Sequence, residues 1–250
     1  MLNIVTDEGN KKEFEGKGGV SLLSSRLTFE GPIGDNDSWL ISGRRTYLEP
    51  ILSIASRWND GLNKFGYYFY DMQGKYHNVI SHDDQLTLAF YLGDDYLRFD
   101  DYPAFVGKMQ WGNRSVSATW THIFASNVFS RYQFGASRFR SISTVGVEDL
   151  EFQEDNRLWD INGRVEVSWF VTDKHTIETG VDIKQHRMEY AFTMAEQEFI
   201  NFSDKSNVYA GYLQDSYRPV PYLSLMPGIR VSSFRASGGS YVDYNPRFSA

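Results

Sequence analysis

Cysteine is absent from the 250 residues, which excludes a disulfide framework, Cys-ligated zinc and thiol catalysis. No apolar run reaches the 18 residues of a membrane-spanning helix, and Met1 is not followed by the basic and then apolar stretches of a secretory leader. Basic residues are outnumbered, 25 Lys and Arg against 32 Asp and Glu, for a net charge of -7, whereas a nucleic-acid binder would show a basic surplus. The five histidines, His77, His82, His122, His175 and His186, share no metal-ligand spacing. No G-x-S-x-G elbow occurs. Asp94, Asp95, Asp100 and Asp101 lack the spacing of a calcium loop and are expected in a solvated connection. Hence no catalytic, metal or cofactor-binding residue is assigned, no cofactor is expected, and ligand-contacting residues are left open.

What the chain does have is aromatic residues, 16% of the total, with Tyr and Phe dominant, a bias that suits strands and membrane-interface belts. The pattern is plainest in one hairpin. Trp159, Ile161, Gly163, Val165, Val167, Trp169 and Val171 alternate with Asp160, Asn162, Arg164, Glu166 and Ser168. After Thr172-Asp173-Lys174 the alternation restarts, with Ile177, Thr179, Val181 and Ile183 against Glu178, Gly180, Asp182 and Lys184. Successive strand side chains point to opposite faces, so a period of two over this length predicts two long strands with one apolar and one polar surface. A transmembrane barrel strand needs only every second residue apolar over about 9–11 positions, so a mean hydropathy of -0.44 is compatible with one.

Along the chain, strands are expected over residues 13–20, 23–30 and 39–45, with a turn at Gly31-Pro32-Ile33-Gly34-Asp35-Asn36-Asp37. A long connection over 47–65 has Leu48, Ile51, Leu52 and Ala55 at helical spacing. Further strands carry Tyr68, Tyr70, Met72 and Tyr76, then Leu86, Leu88, Phe90 and Leu92, then Val116, Ala118 and Trp120. Long connections are expected over 94–107, 143–156 and 194–206. Short ones are expected at Ser81–Asp84, Ala125–Asn127, Thr172–Lys174 and Arg218–Pro221. Alternating short and long connections in an antiparallel meander place all the short turns at one end, as in an outer-membrane barrel. The predicted fold class is therefore all-β, an antiparallel up-and-down transmembrane barrel.

Leu2-Asn3-Ile4-Val5-Thr6 resembles the segment that leaves the plug domain of TonB-dependent outer-membrane receptors. Glu30-Gly31-Pro32-Ile33 with Ser42-Gly43-Arg44-Arg45-Thr46-Tyr47 resembles the first periplasmic turn and next strand of the Bacteroidota-type members. Tyr68-Phe69-Tyr70-Asp71, Tyr212-Leu213-Gln214-Asp215, Pro227-Gly228-Ile229-Arg230 and Asn245-Pro246-Arg247-Phe248 follow in the family's order. The resemblance implies residues 1–10 as the end of the plug and 11–250 as the N-terminal part of the barrel, with about twelve of some 22 strands and the rest absent. It implies active nutrient uptake across the outer membrane of a Gram-negative bacterium, rather than enzymatic activity. The implied partners are outer-membrane lipid, the receptor's own plug, TonB through that plug, an unknown small-molecule or oligomeric nutrient and a surface lipoprotein, with no nucleic acid. A passive porin-like channel or plugless structural barrel is the alternative. Arg44 and Arg45 match the motif, and as strand neighbours only one of them can face the lumen.

Overall fold

A computed structural model describes residues 7–58, 64–101, 105–147 and 150–249; Leu2 to Thr6 lie outside them. The elements are β1 (Glu15–Val20), β2 (Ser24–Ile33), β3 (Asp37–Tyr47), α1 (Glu49–Ala55), β4 (Phe65–Val79), β5 (Asp84–Asp101), β6 (Phe105–Ala125) and β7 (Val128–Val147). They continue as β8 (Leu150–Thr172), β9 (His175–Met194), β10 (Gln197–Val220), β11 (Leu223–Leu225), β12 (Gly228–Ala236) and β13 (Gly239–Arg247). All strands belong to one antiparallel sheet in chain order from β1 to β13, with the three-residue β11 as a side branch on β10. No helix among the described residues is long and apolar enough to cross a membrane.

The hairpin of Trp159 to Lys184 falls where its alternation predicts, on β8 and β9, with Val165 opposite Val181 and Trp169 opposite Ile177. The helix over the 47–65 connection is also present, begun by Pro50 in its first turn. Three expected connections are not loops. Residues 94–101 complete β5, 143–147 and 150–156 extend β7 and β8, and 197–206 begin β10. The two-residue turn Ala195-Glu196 replaces the expected long connection, with both residues at positive φ, 48° and 65°, the conformation of a type I′ hairpin. Gly31-Pro32-Ile33 likewise belongs to β2. Pairing with β1 stops at Glu30, so Pro32 sits where the strand is flanked on one side only, and its missing N–H is tolerated there. β11 and β12 are separate strands, because Pro227 between them has no N–H and Met226 donates to Ser249 instead of to β10.

The sheet is one layer thick, and this decides what it can be. Among the described residues Ala210 is the only buried apolar side chain. A water-soluble domain buries its greasy face against a second layer. Here Ile161, Phe134, Val181, Ile183, Leu213 and Ile229 stay uncovered on one face.

Candidate transport lumen and lipid-facing surface

Cross-strand register assigns every side chain to a face. The row Trp39, Tyr76, Leu88, Ala118, Phe134, Gly163, Ile183 and Tyr209 runs across eight neighbouring strands without a charge. On β8 this apolar band is bounded by Trp169 near the Asp173-Lys174 turn and by Trp159 ten residues away, about 33 Å along the strand. A tilt near 45° reduces that to about 23 Å, close to the roughly 25 Å apolar height of outer-membrane barrels. Aromatic pairs stand at both borders. Trp120 stacks on Tyr132 at 4.7 Å near the turns, and Tyr68 stacks on Tyr96 at 5.2 Å towards the hairpin tips.

The opposite face is polar and concave. An open cavity of about 650 Å³ is lined by residues from six strands, among them Lys17, Arg26, Glu30, Ser42, Gln73 and Ser117, together with Asp7. Further along, Asp182 is 6% exposed, accepts from Arg230 at 2.7 Å and lies 3.2 Å from Arg164 Nε. Arg164 also pairs with Glu166 at 3.3 Å, and Tyr212 donates to Glu166 at 2.7 Å. Gly180 makes this bond possible. A Cβ there would lie 2.7 Å from the Tyr212 ring and from the Val165 carbonyl oxygen, so the ring lies over the glycine and reaches across β9 to β8. Of the motif arginines, Arg44 faces this lumen and binds Asp71 at 2.6 Å and 2.8 Å, whereas Arg45 points outward, 5.6 Å from the Tyr68 ring.

Residues 7–14 thread between the faces at the turn end. Ser38, fully buried, donates to the Glu8 carbonyl oxygen at 2.7 Å on the lumen side. Phe14 then lies on the outer side against Phe29 and Trp39. A Cβ on Gly31 would come 3.2 Å from the Phe14 Cα. The glycine that the sequence suggests for a turn thus opens the passage for the entering chain, a role with no signal of its own in the sequence.

The remaining sequence candidates do not converge. His77 contacts Thr87, His122 pairs with Asp84, His175 with Asp215, His186 with Asp160, and His82 with its neighbour Asp83. Asp94 and Asp95, expected in a solvated loop, sit on opposite faces of β5, accepting from Tyr70 and Tyr67 respectively, while Asp101 pairs with Lys64. Strand alternation keeps the acids apart, and no group of three potential metal ligands occurs among the described residues.

Neither a family model nor a curated protein matches the sequence. Solved structures do. The ferripyoverdine receptor of the outer membrane of Pseudomonas aeruginosa is 13% identical and covers 96% of this chain, with a TM-score of 0.72; the match covers 40% of that receptor. The fold is that of an outer-membrane receptor barrel. The ferric yersiniabactin uptake receptor FyuA from Yersinia pestis agrees over 99% of this chain and 44% of its own, at 12% identity and a TM-score of 0.67. The copper transporter OprC agrees over 97% and 42%, at 12% identity and a TM-score of 0.69. The chain thus spans about two fifths of the length of the structures it matches.

Beyond Trp159 the outer face of the sheet turns charged. Asp155 accepts from Arg140 at 2.8 Å and from Arg157 at 2.7 Å, and Arg157 approaches Glu189 at 3.8 Å. Burial opposes ionisation of Asp155, but the two guanidinium bonds outweigh it and hold its carboxyl below the ordinary value. A depressed pKa contributes stability above the unfolded-state value, and that contribution is lost as pH falls through the folded one. Acid titration of the folded protein is therefore expected to weaken this cluster only below about pH 4. Asp155→Asn should flatten that acid limb while changing stability at pH 7 by less than about 1 kcal/mol, since both arginines are well exposed. Unfolding midpoints measured from pH 3 to 7 check both statements.

Proposed function

We propose that the chain is part of the barrel of a TonB-dependent receptor that actively takes up a nutrient across the outer membrane. One observation carries this: a single-layer meander with an uncovered apolar band on one face and a salt-bridged polar concavity on the other. Residues 1–10 act as the exit from a plug. Glu8 on the lumen side and Phe14 on the outer side fit a chain entering from inside the barrel at the periplasmic end. The tips of the long hairpins then stand outside the cell. There β8 continues nine residues beyond Trp159 to Leu150, while the turn end stops within four residues of Trp169. Hairpins and plug capture the nutrient, TonB moves the plug, and the polar lumen passes the cargo on; a surface lipoprotein that presents the nutrient to the tips fits the same arrangement. The lumen offers paired charges and hydroxyls along its wall, which suits the passage of a polar cargo.

Proteoliposomes containing the full-length protein test this. A plugged receptor is expected to give no swelling in isotonic arabinose. The protein should also fractionate with outer membranes and show heat-modifiable gel mobility. Rapid arabinose entry would instead establish the passive channel.

A further inference from the structure

Outward-facing charge is segregated by height. Near the turns the outer face carries Asp37, Asp84 and Asp215. On the first rows beyond the apolar band it carries Arg45, Arg114, Arg138, Arg140, Arg157, Arg187 and Lys205 against Asp94, Asp155 and Glu189. That is seven cations to three acids in a chain whose net charge is -7.

Two features give this belt a shape. A pocket of about 140 Å³ opens between Arg114, Arg138 and Arg140, with Asp94 at its side and Gly112 at its floor. A Cβ on Gly112 would lie 2.1 Å from Asp94 Oδ1 and 2.7 Å from the Gly93 carbonyl oxygen, so the glycine keeps the floor clear. The counter-charge is incomplete. Arg138 has no carboxylate in ion-pair range among the described residues, and its buried Nε–H donates to no acceptor. Its guanidinium stands 5.6 Å from the Trp159 ring, which Arg187 approaches equally closely. Arg114 reaches Asp94 only at 3.9 Å, and Asp94 already accepts from Tyr70 at 2.8 Å.

Four residues down β7 from Arg138, about 13 Å towards the membrane centre, an apolar groove of about 310 Å³ runs over Gly163 between Phe134, Val165, Val181 and Ile183. Nothing lies within 4 Å of a Cβ added to Gly163. A cationic pocket above an apolar groove on the same strands matches an amphiphile with an anionic head and a hydrocarbon tail.

We infer that a phosphate-bearing lipid of the outer leaflet docks on the outward face of β5 to β9, its phosphate among Arg114, Arg138 and Arg140 and an acyl chain over Gly163. The inference rests on the membrane-barrel assignment above. The lipid replaces the missing counter-charge and fixes the height of the barrel where the hairpins leave the membrane. Guanidinium forks match phosphate oxygens in pairs, which accounts for arginine rather than lysine at all three positions.

The test uses the full-length protein, extracted in mild detergent, stripped of lipid and offered diphosphorylated lipid A, the same lipid dephosphorylated, or inorganic phosphate, with retention read by native mass spectrometry. One diphosphorylated lipid is expected to stay bound. Each neutralised arginine is expected to weaken retention roughly fivefold, so R138Q/R140Q should weaken it by more than tenfold. Gly163→Leu fills the groove without touching a charge. It should also release the lipid, and it decides the matter if the double variant does not fold. Equal retention of the dephosphorylated lipid would overturn the inference, as would unchanged retention by folded R138Q/R140Q or G163L, or displacement of the lipid by millimolar phosphate. Rapid arabinose entry would refute the uptake receptor alone, since a passive barrel keeps the same outer face and phosphate-dependent retention still decides the pocket.

Discussion

Val181→Arg is expected to destabilise the protein by about 2–4 kcal/mol in a phospholipid bilayer, the cost of an arginine at the midplane of a barrel's lipid face. Val181 is 51% exposed, on the same row as Val165, Gly211 and Val231, and lies halfway between the two aromatic borders. In water an exposed Val→Arg substitution away from any special feature changes stability by less than about 0.5 kcal/mol, so one residue separates a lipid-facing sheet from a soluble one. Val167→Arg, one row nearer the turns, should follow with a somewhat smaller loss. Gln185→Arg supplies the depth control, four residues further along the same strand at the edge of the band, where about 0–1 kcal/mol is expected. Urea unfolding in bilayers measures all three. Equal, small effects at positions 181 and 185 would mean that the apolar face meets protein or water.

The fold was legible because the hairpin pattern is long and strict. In β8 and β9 the apolar set stays on one parity from Trp159 to Trp169, and a slip of one residue would turn the whole set into the lumen. Strand ends were less legible, for a physical reason. Beyond Trp159 both faces meet water, so the alternation that announces a half-buried strand fades: Arg157, Asp155 and Gln153 share the outer face with Trp159 yet read as a polar connection. The turn between β9 and β10 compounds this, because Ala195 and Glu196 hold positive φ without the Asn or Gly that marks such turns. The acids of 94–101 and 150–156 therefore looked like loops, although they lie on paired strands.

Site residues divide in the same way. The motif positions Arg44, Asp71, Tyr212, Asp215 and Arg230 are nodes of cross-strand bonds, to Asp71, Arg44, Glu166, His175 and Asp182 respectively. Their fixed order along the chain reflects the fixed register between strands. Arg114, Arg138 and Arg140 carried no such signal. They come from two strands with a 24-residue span between Arg114 and Arg138, and they meet only because Arg114 is opposite Arg138 and Gly112 opposite Arg140. Pairing register creates the pocket, and no local spacing in the sequence encodes it.

The second large effect belongs to the lumen. Asp182→Ala is expected to cost about 2–3 kcal/mol, because it leaves Arg230 without its carboxylate and Arg164 with Glu166 alone. Removing one partner of a buried ion pair costs about 3–5 kcal/mol where the surviving charge has no water; Arg230 and Arg164 keep 23% and 38% of their side-chain surface, which moderates that figure. Hydrogen bonds to charged groups, worth about 1.5–3 kcal/mol each, set the same scale. A double-mutant cycle with Arg230→Ala isolates the pair and should give a coupling of at least about 1 kcal/mol, whereas additivity within about 0.5 kcal/mol would mean that the bridge contributes nothing. The coupling also bears on how the wall is built. β10 lies between β9 and β12, so the Asp182–Arg230 bond spans three strands, and the Tyr212–Glu166 bond crosses β9 in the other direction. A single-layer sheet without a core resists shear between strands only through its ladder and such diagonal ties. Loss of Asp182 should therefore be felt as earlier unfolding of β10 and β12, read by hydrogen exchange, while β5 and β6 keep their protection.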